Sequence, residues 1–393
     1  MTNYNEDSVR TYALPDLLTL ADGTPVTDAE TWQQKRRPEL LRLFAENVFG
    51  ETPPVAEGVG FEVISGGVAF GGLATRKKIA VRIGEARFHL LLYVPTDSPK
   101  PCAAFLGLNF SGNHTVSDDP GVAPVPQWER DDAGSVAVHR LPTLERGAQA
   151  SLWQVETVLK RGYALATADY EEIEPDFVGG ARWGLRASLP VTGQADCGAI
   201  GIWAYALSRA MDYLETDPTV DARRVALIGH SRLGKTALWA AAQDERFALV
   251  IANNSGEGGA AISRRRFGEN IADLVRNFPH WFATRYAQFA DNEDALPVDA
   301  HSLLALTAPR PLYVASATED AWADPRGEFL GAKATENVYN LFGRNGLGGI
   351  EFPAPDTPVG ETVRYHLRTG KHDVTAYDWE KYLDFADAHS ARR

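Results

Sequence analysis

The chain has 393 residues, of which 44% are hydrophobic and 23% charged, the composition of a globular protein with enough apolar side chains for a large core. Its 39 lysines and arginines are outnumbered by 52 aspartates and glutamates, which gives a formal net charge of −13. A surface of that sign repels nucleic acid and anionic membranes, so neither is expected as a partner. Because no Pro-, Ser- or Gly-rich linker divides the sequence, we expect one domain over residues 1–393.

The cysteines, the histidines and the hydropathy pattern exclude further classes of protein. Cys102 and Cys197 allow one bridge at most, and we interpret both as small buried side chains. The nine histidines have no H-E-x-x-H or similar spacing, so no metal is expected. No apolar run approaches membrane-spanning length, and the first residues lack the charged-then-apolar layout of a secretory signal. We expect a cytoplasmic protein if the chain is complete as given, and a secreted or periplasmic one if a signal peptide was removed.

The beginning of the chain predicts helix and then antiparallel strands. Residues 29–49 favour helix, with Pro38 marking a break or a fresh start and Gly50 closing it, inside an N-terminal helical segment at about 1–55. β-Branched and aromatic residues then cluster between turns, which predicts an antiparallel start to a sheet at 60–70, 78–83 and 87–94.

From Cys102 onward, short apolar runs alternate with helix-like segments. Apolar runs of this length indicate strands buried on both faces of a parallel sheet, and they lie at 102–108, 163–168, 225–230, 247–252 and 311–317. Helices with an apolar face are predicted at 149–160, 198–215, 233–243 and 376–390. We therefore predict an α/β fold, with a mostly parallel central sheet, antiparallel N-terminal strands and layers of helices. The polar stretches 111–148 and 171–197 are candidate loops at the rim of a site.

The stretch 225–236, Val-Ala-Leu-Ile-Gly-His-Ser-Arg-Leu-Gly-Lys-Thr, fits two chemistries. From Gly229 to Thr236 it matches the phosphate-binding pattern G-x-x-x-x-G-K-[ST], and it also places Ser231 at a strand-to-helix turn, like the nucleophile of a hydrolase. A phosphate loop usually follows the first strand of its domain and needs a partner strand that ends in Asp. Here the motif comes after half the chain, and the next apolar strand ends in Asn253 and Asn254, which disfavours nucleotide binding.

The serine interpretation finds its partners in the expected chain order. On an α/β sheet the chain order is nucleophile, acid and histidine, each at a loop that follows a strand, and Ser231, Asp320 and His372 fit that order. A serine hydroxyl is a poor nucleophile until an imidazole accepts its proton, and a carboxylate must fix the imidazole's tautomer and balance its charge. The motif departs from G-x-S-x-G, because Leu233 stands where the second glycine is expected and Gly234 comes one residue later.

With the shifted glycine, this motif resembles the elbow G-x-S-R-x-G-K of the glucuronoyl esterases of carbohydrate esterase family 15. The similarity covers roughly residues 30–390. It implies an α/β-hydrolase fold of three layers, without a cofactor, which cleaves the ester between 4-O-methyl-glucuronate on xylan and lignin alcohols. Further matching segments are Gly107–Thr115, Ser255–Gly259, Asn277–Phe282, Thr307–Arg310, Glu319–Asp324 and Gly370–His372.

The resemblance assigns roles by matching position. Ser231 is then the nucleophile, His372 the general base, and Arg232 the arginine that supports the oxyanion with its backbone N–H and guanidinium. Lys235 is similar to the lysine that binds sugar hydroxyls, and Trp322 to the tryptophan that faces the glucuronate ring.

Other assigned positions concern the oxyanion wall and the uronate. The loop from Asn109 to His114 is expected to form the wall beside the oxyanion pocket. Ser302 stands where relatives commonly place a glutamate that contacts the sugar, and Ala300 is also small, which leaves the acyl preference open.

The acid has more than one candidate. Some relatives carry a glutamate where this chain has Asn254, so that position cannot serve here. We expect Asp320 to be the acid, with Glu257 in reserve and Glu319 as a weaker candidate. The compact basic cluster Arg264–Arg266 is interpreted as solvated or paired surface charge.

The expected substrates are esters of glucuronate-bearing polysaccharides or oligosaccharides. An acetyl-xylan or broader carbohydrate esterase is the alternative on the same scaffold. A nucleotide-binding ATPase and a carbohydrate-binding pseudoenzyme are alternatives of other classes. The sequence does not set the oligomeric state, and a monomer is the default expectation.

Overall fold

A computed structural model of the chain describes residues 2–56, 58–130, 137–140, 144–189 and 196–390. Parts of the predicted rim loops 111–148 and 171–197 lie outside the described residues. The first compact unit comprises Met1–Glu51, Asp196–Gly201 and Ile228–Asp373. The second comprises Thr52–Ala195, Ile202–Leu227 and Val374–Arg393. The single domain expected over the whole chain stays a prediction.

Eleven strands are found among the described residues: β1 Gly60–Ala69, β2 Ala74–Ile83, β3 Ala86–Pro95, β4 Cys102–Asn109, β5 Gln127–Arg130, β6 Ala137–Arg140, β7 Ala164–Asp169, β8 Val220–His230, β9 Leu249–Asn253, β10 Leu312–Ala317 and β11 Val363–Arg368. In the second unit, β1, β2 and β3 form antiparallel ladders, with Gly60 opposite Arg82 and Ala74 opposite Pro95. Strand β7 pairs antiparallel with β3 and parallel with β4, which in turn is parallel to β8. In the first unit, β10 lies between β9 and β11 and is parallel to both.

The α-helices among the described residues are α1 Ala29–Thr31, α2 Arg37–Phe44, α3 Ala150–Trp153, α4 Val155–Lys160, α5 Tyr170–Ile173, α6 Ala199–Thr216, α7 Arg232–Gln243, α8 Ile271–Asn277, α9 Ala300–Ala305, α10 Pro325–Lys333, α11 Glu336–Leu341 and α12 Ala376–Ser390. In the first unit, α7 packs against β9, and α10 packs against β10 and β11. Helix α7 buries ten consecutive residues, Leu233–Ala242, because its sequence is apolar on nearly every side. These helices and strands form the core that carries the site.

The N-terminal helical segment agrees closely with its sequence pattern. The Asp28 side chain accepts a hydrogen bond from the Thr31 backbone N–H at 2.7 Å, which caps the start of α1. Pro38 lies in the first turn of α2, where a missing N–H costs no helical hydrogen bond. The last turn ends at Gly50, whose φ of 85° favours glycine.

Strand β11 was not predicted from the sequence. Its residues, Val-Arg-Tyr-His-Leu-Arg, alternate polar and apolar side chains and so do not form an apolar run. Tyr365 and His366 are nevertheless fully buried, and His366 Nδ1 lies 2.8 Å from the Tyr313 hydroxyl. Because this hydrogen bond satisfies both polar groups, the core accepts an imidazole there.

Three other expectations can be compared with the structure. Cys102 and Cys197 are both buried and unbridged. In the basic cluster, Arg264 and Arg265 are buried as well, where they pair with Asp299 and Asp324, so the expectation of paired charge holds but these two arginines are not surface residues. Among the described residues, no helix is long and apolar enough to cross a membrane.

Candidate active site

Ser231 stands alone at the turn between β8 and α7. Its backbone is strained, with φ 56° and ψ −130°, a conformation that a residue with a side chain rarely adopts. The Ser231 N–H donates to the Asn253 carbonyl at 2.9 Å, and the Ser231 carbonyl accepts from the Gly234 N–H at 2.8 Å. Both backbone groups are thus fixed by the end of β9 and the first turn of α7. The sharp turn and strained φ are typical of a nucleophile elbow.

The displaced glycine of the elbow has a steric explanation. A Cβ on Gly229 would lie 2.0 Å from the Leu233 carbonyl oxygen, so the strand and helix can cross only with glycine at this position. A Cβ on Gly234 would lie 3.0 Å from the Ser255 Cβ. The close approach to β9 therefore falls at Gly234, while Leu233 is buried in the core.

His372 and Asp320 are brought together by the ends of β11 and β10. His372 Nδ1 lies 2.6 Å from Asp320 Oδ2, and the same oxygen accepts a hydrogen bond from Asn254 Nδ2 at 2.6 Å. The Asp320 side chain is 4% exposed and the His372 side chain 39% exposed. Burial alone would raise the pKa of Asp320, but the bonds from His372 and Asn254 outweigh it, so the pKa lies below its ordinary value. Asp320 is thus held as a carboxylate against the imidazole.

His230 connects this pair to the elbow. It directly precedes Ser231, and its ring centroid lies 4.5 Å from that of His372, at an interplanar angle of 44°. Its Nδ1 lies 2.6 Å from the Asn253 side-chain oxygen, which fixes the ring at the end of β9. The imidazole of His372 is therefore beside the residue that precedes Ser231 in the chain.

The other acid candidates lie in different surroundings. Glu257 is fully buried, where it accepts hydrogen bonds from the Ser263 hydroxyl at 2.5 Å and the Tyr286 hydroxyl at 2.9 Å. Burial raises the pKa of Glu257 to about 8. Glu319 is exposed, and its backbone N–H donates to the Gly370 carbonyl at 2.8 Å. Of the three predicted acids, Asp320 is the one that the structure places on His372.

Arg232 packs on a pair of aromatic rings. Phe278 and Trp281 stack with centroids 3.9 Å apart and planes 5° apart. The Arg232 guanidinium carbon lies 4.9 Å from the Trp281 ring centroid and 5.9 Å from that of Phe278. Such cation–π packing orients a guanidinium without consuming its donors. The segment Asn277–Phe282, noted in the sequence for its resemblance, thus supports the predicted oxyanion residue.

Lys235, Glu269 and Trp322 form a second cluster. Lys235 is buried, and its Nζ donates to the Ser255 carbonyl at 2.7 Å and to Glu269 Oε2 at 3.1 Å. The other oxygen, Oε1, accepts the indole N–H of Trp322 at 3.1 Å. Trp322 is 38% exposed, so part of its side chain is accessible to a ligand. The sugar-binding roles expected for Lys235 and Trp322 stay predictions, and Glu269 is a residue that the sequence reasoning missed.

The cluster also bears on the phosphate-loop interpretation. The Lys235 ammonium is paired with a carboxylate inside the protein, and the Gly234 and Lys235 N–H groups donate to the Ser231 carbonyl at 2.8 and 3.2 Å. A phosphate loop needs these groups to point at the anion. The structure therefore contradicts a nucleotide site at this motif. Among the described residues, no group of three or more His, Cys, Asp or Glu could hold a metal ion.

Four further predicted positions are buried. Ser302 and Ala300 lie in α9 and have almost no exposed surface. In the second unit, Asn109 Nδ2 donates to the Asn113 side-chain oxygen at 2.7 Å, and His114 Nε2 lies 3.1 Å from the Leu144 carbonyl. Burial lowers the pKa of His114. The wall role expected of Asn109 and His114 stays a prediction.

The fold and its close matches define a class, the carboxylic ester hydrolases with an α/β-hydrolase fold. A family model for fungal glucuronyl esterases matches residues 157–343. A solved glucuronoyl esterase from Solibacter usitatus is 51% identical, with a TM-score of 0.92 over 98% of this chain and 99% of that one. A promiscuous esterase of carbohydrate esterase family 15, from a marine bacterial metagenome, is 45% identical, with a TM-score of 0.90 over 99% and 100%.

A more distant relative extends the comparison. The 4-O-methyl-glucuronoyl methylesterase of Schizophyllum commune is 27% identical over 84% of this chain and 74% of its own length. The chain belongs to the glucuronoyl esterases of carbohydrate esterase family 15, as its elbow motif predicted. The predicted α/β-hydrolase fold, with its mostly parallel sheet and antiparallel N-terminal strands, is confirmed as well.

Proposed function

We propose that this protein hydrolyses esters of 4-O-methyl-glucuronate carried on xylan, through an acyl-enzyme on Ser231. The observation that carries the proposal is the 2.6 Å contact between His372 and the buried Asp320, together with the strained turn that holds Ser231. Family membership supports the substrate class, since relatives named for 4-O-methyl-glucuronoyl methylesterase activity match most of the chain.

In the proposed mechanism, His372 takes the proton of the Ser231 hydroxyl as the oxygen attacks the ester carbonyl. Asp320 holds the proton-bearing Nδ1, which leaves Nε2 free of that bond to act as the base and balances the charge of the imidazolium. The oxyanion that forms is met by Arg232, whose guanidinium is oriented by the stacked rings. His372 then protonates the leaving alcohol, and it activates water for hydrolysis of the acyl-enzyme.

A broader carbohydrate esterase is the second candidate, because a solved relative that covers nearly the whole chain is described as promiscuous. The two candidates differ in the acyl group that the site accepts. Initial rates on a methyl or benzyl ester of glucuronate and on acetylated xylose separate them. We expect kcat/KM to be higher on the glucuronate ester.

A faster reaction on acetylated xylose would favour the broader esterase. If the protein hydrolyses neither substrate but still binds glucuronoxylan, it is a pseudoenzyme. The Ser231→Ala variant serves as the control for residual hydrolysis in each assay.

A further inference from the structure

Glu328 is a buried residue near the end of β9 that the proposed mechanism does not use. It lies in the first turn of α10, and its side chain has no exposed surface. Its Oε1 accepts hydrogen bonds from the Ser255 N–H at 2.7 Å, the Ser255 hydroxyl at 3.1 Å and the Gly256 N–H at 3.0 Å. Its Oε2 lies 2.6 Å from the Ser316 hydroxyl. Three of these four contacts are thus with the two residues that follow Asn254 in the chain.

The segment Asn254–Gly256 has a backbone that needs support from its surroundings. Asn254 has a φ of 45°, in the left-handed region that residues with a side chain rarely adopt. Such a conformation persists only where neighbouring contacts hold it. The Asn254 N–H donates to the Ala315 carbonyl at 2.7 Å, which fixes the start of the segment. Glu328 fixes the next two residues, because both of their N–H groups donate to one of its oxygens.

The same segment supports two parts of the candidate active site. The Asn254 side chain donates to Asp320 Oδ2 at 2.6 Å, and that oxygen also contacts His372. One residue later, the Ser255 carbonyl accepts a hydrogen bond from Lys235 Nζ at 2.7 Å. The first contact belongs to the predicted catalytic residues, and the second belongs to the cluster around Lys235. A displacement of the segment would therefore change both.

The Glu328 carboxyl serves this segment as an acceptor and not as a charge. Its hydrogen-bond partners are uncharged backbone and hydroxyl groups. Burial raises the pKa of Glu328 to about 8, and the charge of Asp320 adds to that effect, so the group is mostly neutral at pH 7. A neutral carboxyl keeps a carbonyl oxygen that accepts hydrogen bonds, which is the role that Oε1 fills.

We propose that Glu328 is a positioning residue for ester hydrolysis, which holds Asn254 and Ser255 in place and through them orients Asp320 and Lys235. The proposal rests on the proposed function, because it takes Asp320 to be the acid and Lys235 to contact the sugar. It predicts that the reach of the Glu328 oxygen matters and that its charge does not.

Two substitutions of Glu328 separate reach from charge. Glu328→Asp withdraws the carboxyl by one methylene group from the N–H groups that it accepts. On a methyl ester of glucuronate, we expect this variant to lower kcat by about tenfold, because Asp320 loses its alignment. It should also raise KM by about fivefold, because Lys235 is displaced. Glu328→Gln keeps an oxygen at the same reach and should leave both constants within about threefold of the wild type.

A double-mutant cycle with Asn254→Leu tests the route of the effect. Because Asn254→Leu already removes the hydrogen bond to Asp320, adding Glu328→Asp should lower kcat by less than about twofold more, while KM still rises. Multiplicative losses in kcat would show that Glu328 does not act through Asn254 and would overturn the proposal. An unchanged KM in Glu328→Asp would overturn it as well, and so would a Glu328→Gln variant that is as impaired as Glu328→Asp.

The matched control is Glu293→Asp, the same change at another buried glutamate of the first unit, which pairs with Arg266. It should leave kcat and KM within about twofold of the wild type, whatever it costs in stability. If Glu328→Asp does not fold, Glu328→Gln decides, because near-normal activity supports the acceptor role and loss of activity rejects it.

Failure of the proposed function can be told apart from failure of this proposal. If the wild type hydrolyses no glucuronate ester, the proposed function fails, and the rate at which an activated phosphonate ester labels Ser231 takes the place of kcat. Slower labelling of Glu328→Asp than of Glu293→Asp would support the positioning role. Equal labelling of the two variants, or no labelling of Ser231 in the wild type, would reject it.

Discussion

Two groups of residues at the candidate active site, the predicted catalytic residues and the cluster around Lys235, are held in different ways. Ser231, Asp320 and His372 each follow a strand, and Asp320 bonds His372 through a single short contact, with His372 still 39% exposed. Lys235 and Glu269 instead form a buried ion pair, through which Trp322 is held. In the proposed mechanism the first group transfers protons, whereas the second group fixes the position of an exposed ring. A substitution in the first group should therefore change kcat, and one in the second should change KM and stability.

The largest difference is expected between two carboxylates. Asp320→Asn replaces the carboxylate that bonds His372 with a neutral amide, which should lower kcat by about 10⁴-fold. Glu257→Gln should change kcat by less than about tenfold, since Glu257 bonds Ser263 and Tyr286 and not the imidazole. Steady-state rates on a glucuronate ester, with circular dichroism as the folding control, measure both. The reverse ranking would make Glu257 the acid.

A smaller effect is expected at Asn254. Asn254→Leu keeps the volume but removes the 2.6 Å hydrogen bond to Asp320. Loss of a partner behind a functional group typically costs about 10- to 100-fold, and we expect that loss in kcat. Because this bond lowers the pKa of Asp320, its removal should raise that pKa and move any acid limb that Asp320 controls to higher pH.

The control for Asn254 is Asn47, another buried asparagine of the first unit, which bonds the Leu43 carbonyl at 2.8 Å. Asn47→Leu should leave the pH profile in place. A profile that shifts equally in both variants would point to a general loss of packing.

Glu269→Gln tests the second cluster. We expect KM to rise by about tenfold with kcat nearly unchanged, since the indole of Trp322 loses a charged acceptor. The buried Lys235 would also lose its counter-charge, which typically costs about 3–5 kcal/mol of unfolding free energy. Urea unfolding measures that loss, with Glu46→Gln as the control for an exposed pair. A fall in kcat without a change in KM would instead indicate that Glu269 acts with the predicted catalytic residues.

The last predicted effect concerns stability and pH. Burial raises the pKa of Glu257 and of Glu328 to about 8, while an unfolded glutamate titrates near 4.3. Between these values the folded state holds protons that the unfolded state releases, so stability should fall as pH rises from about 5 to 8. Both carboxyls contribute to that fall over the same window.

The Glu257→Gln variant has no ionisable side chain at this position. Its free energy of unfolding should therefore fall less steeply with rising pH than that of the wild type. Urea unfolding at pH 5, 6, 7 and 8 measures the two slopes. Parallel slopes would show that Glu257 keeps an ordinary pKa in the folded protein.

Part of the fold and of the candidate site could be predicted from the sequence, and part could not. Most of the parallel strands are continuous apolar runs, which pattern alone predicted, and the chain order of Ser231, Asp320 and His372 made them candidates for the site. The pairing of Lys235 with Glu269, 34 positions apart, depends on how loops return to the sheet, and no periodicity encodes it. Strand β11 was missed because polar residues interrupt its apolar pattern, and its buried His366 is accommodated by a hydrogen bond with Tyr313 of β10. The segment that contains Phe278 and Trp281 was noted in the sequence only as a matching motif, and nothing in the sequence indicated that the two stacked rings pack on Arg232.

The central claim is that Ser231 is the nucleophile and that His372 activates it. An activated phosphonate ester, which phosphonylates serine nucleophiles, tests it when peptides of the labelled protein are mapped by mass spectrometry. We predict one adduct, on Ser231, and at least about a 100-fold slower labelling in the His372→Ala variant. An adduct on another residue, or equal labelling of the variant, would contradict the account.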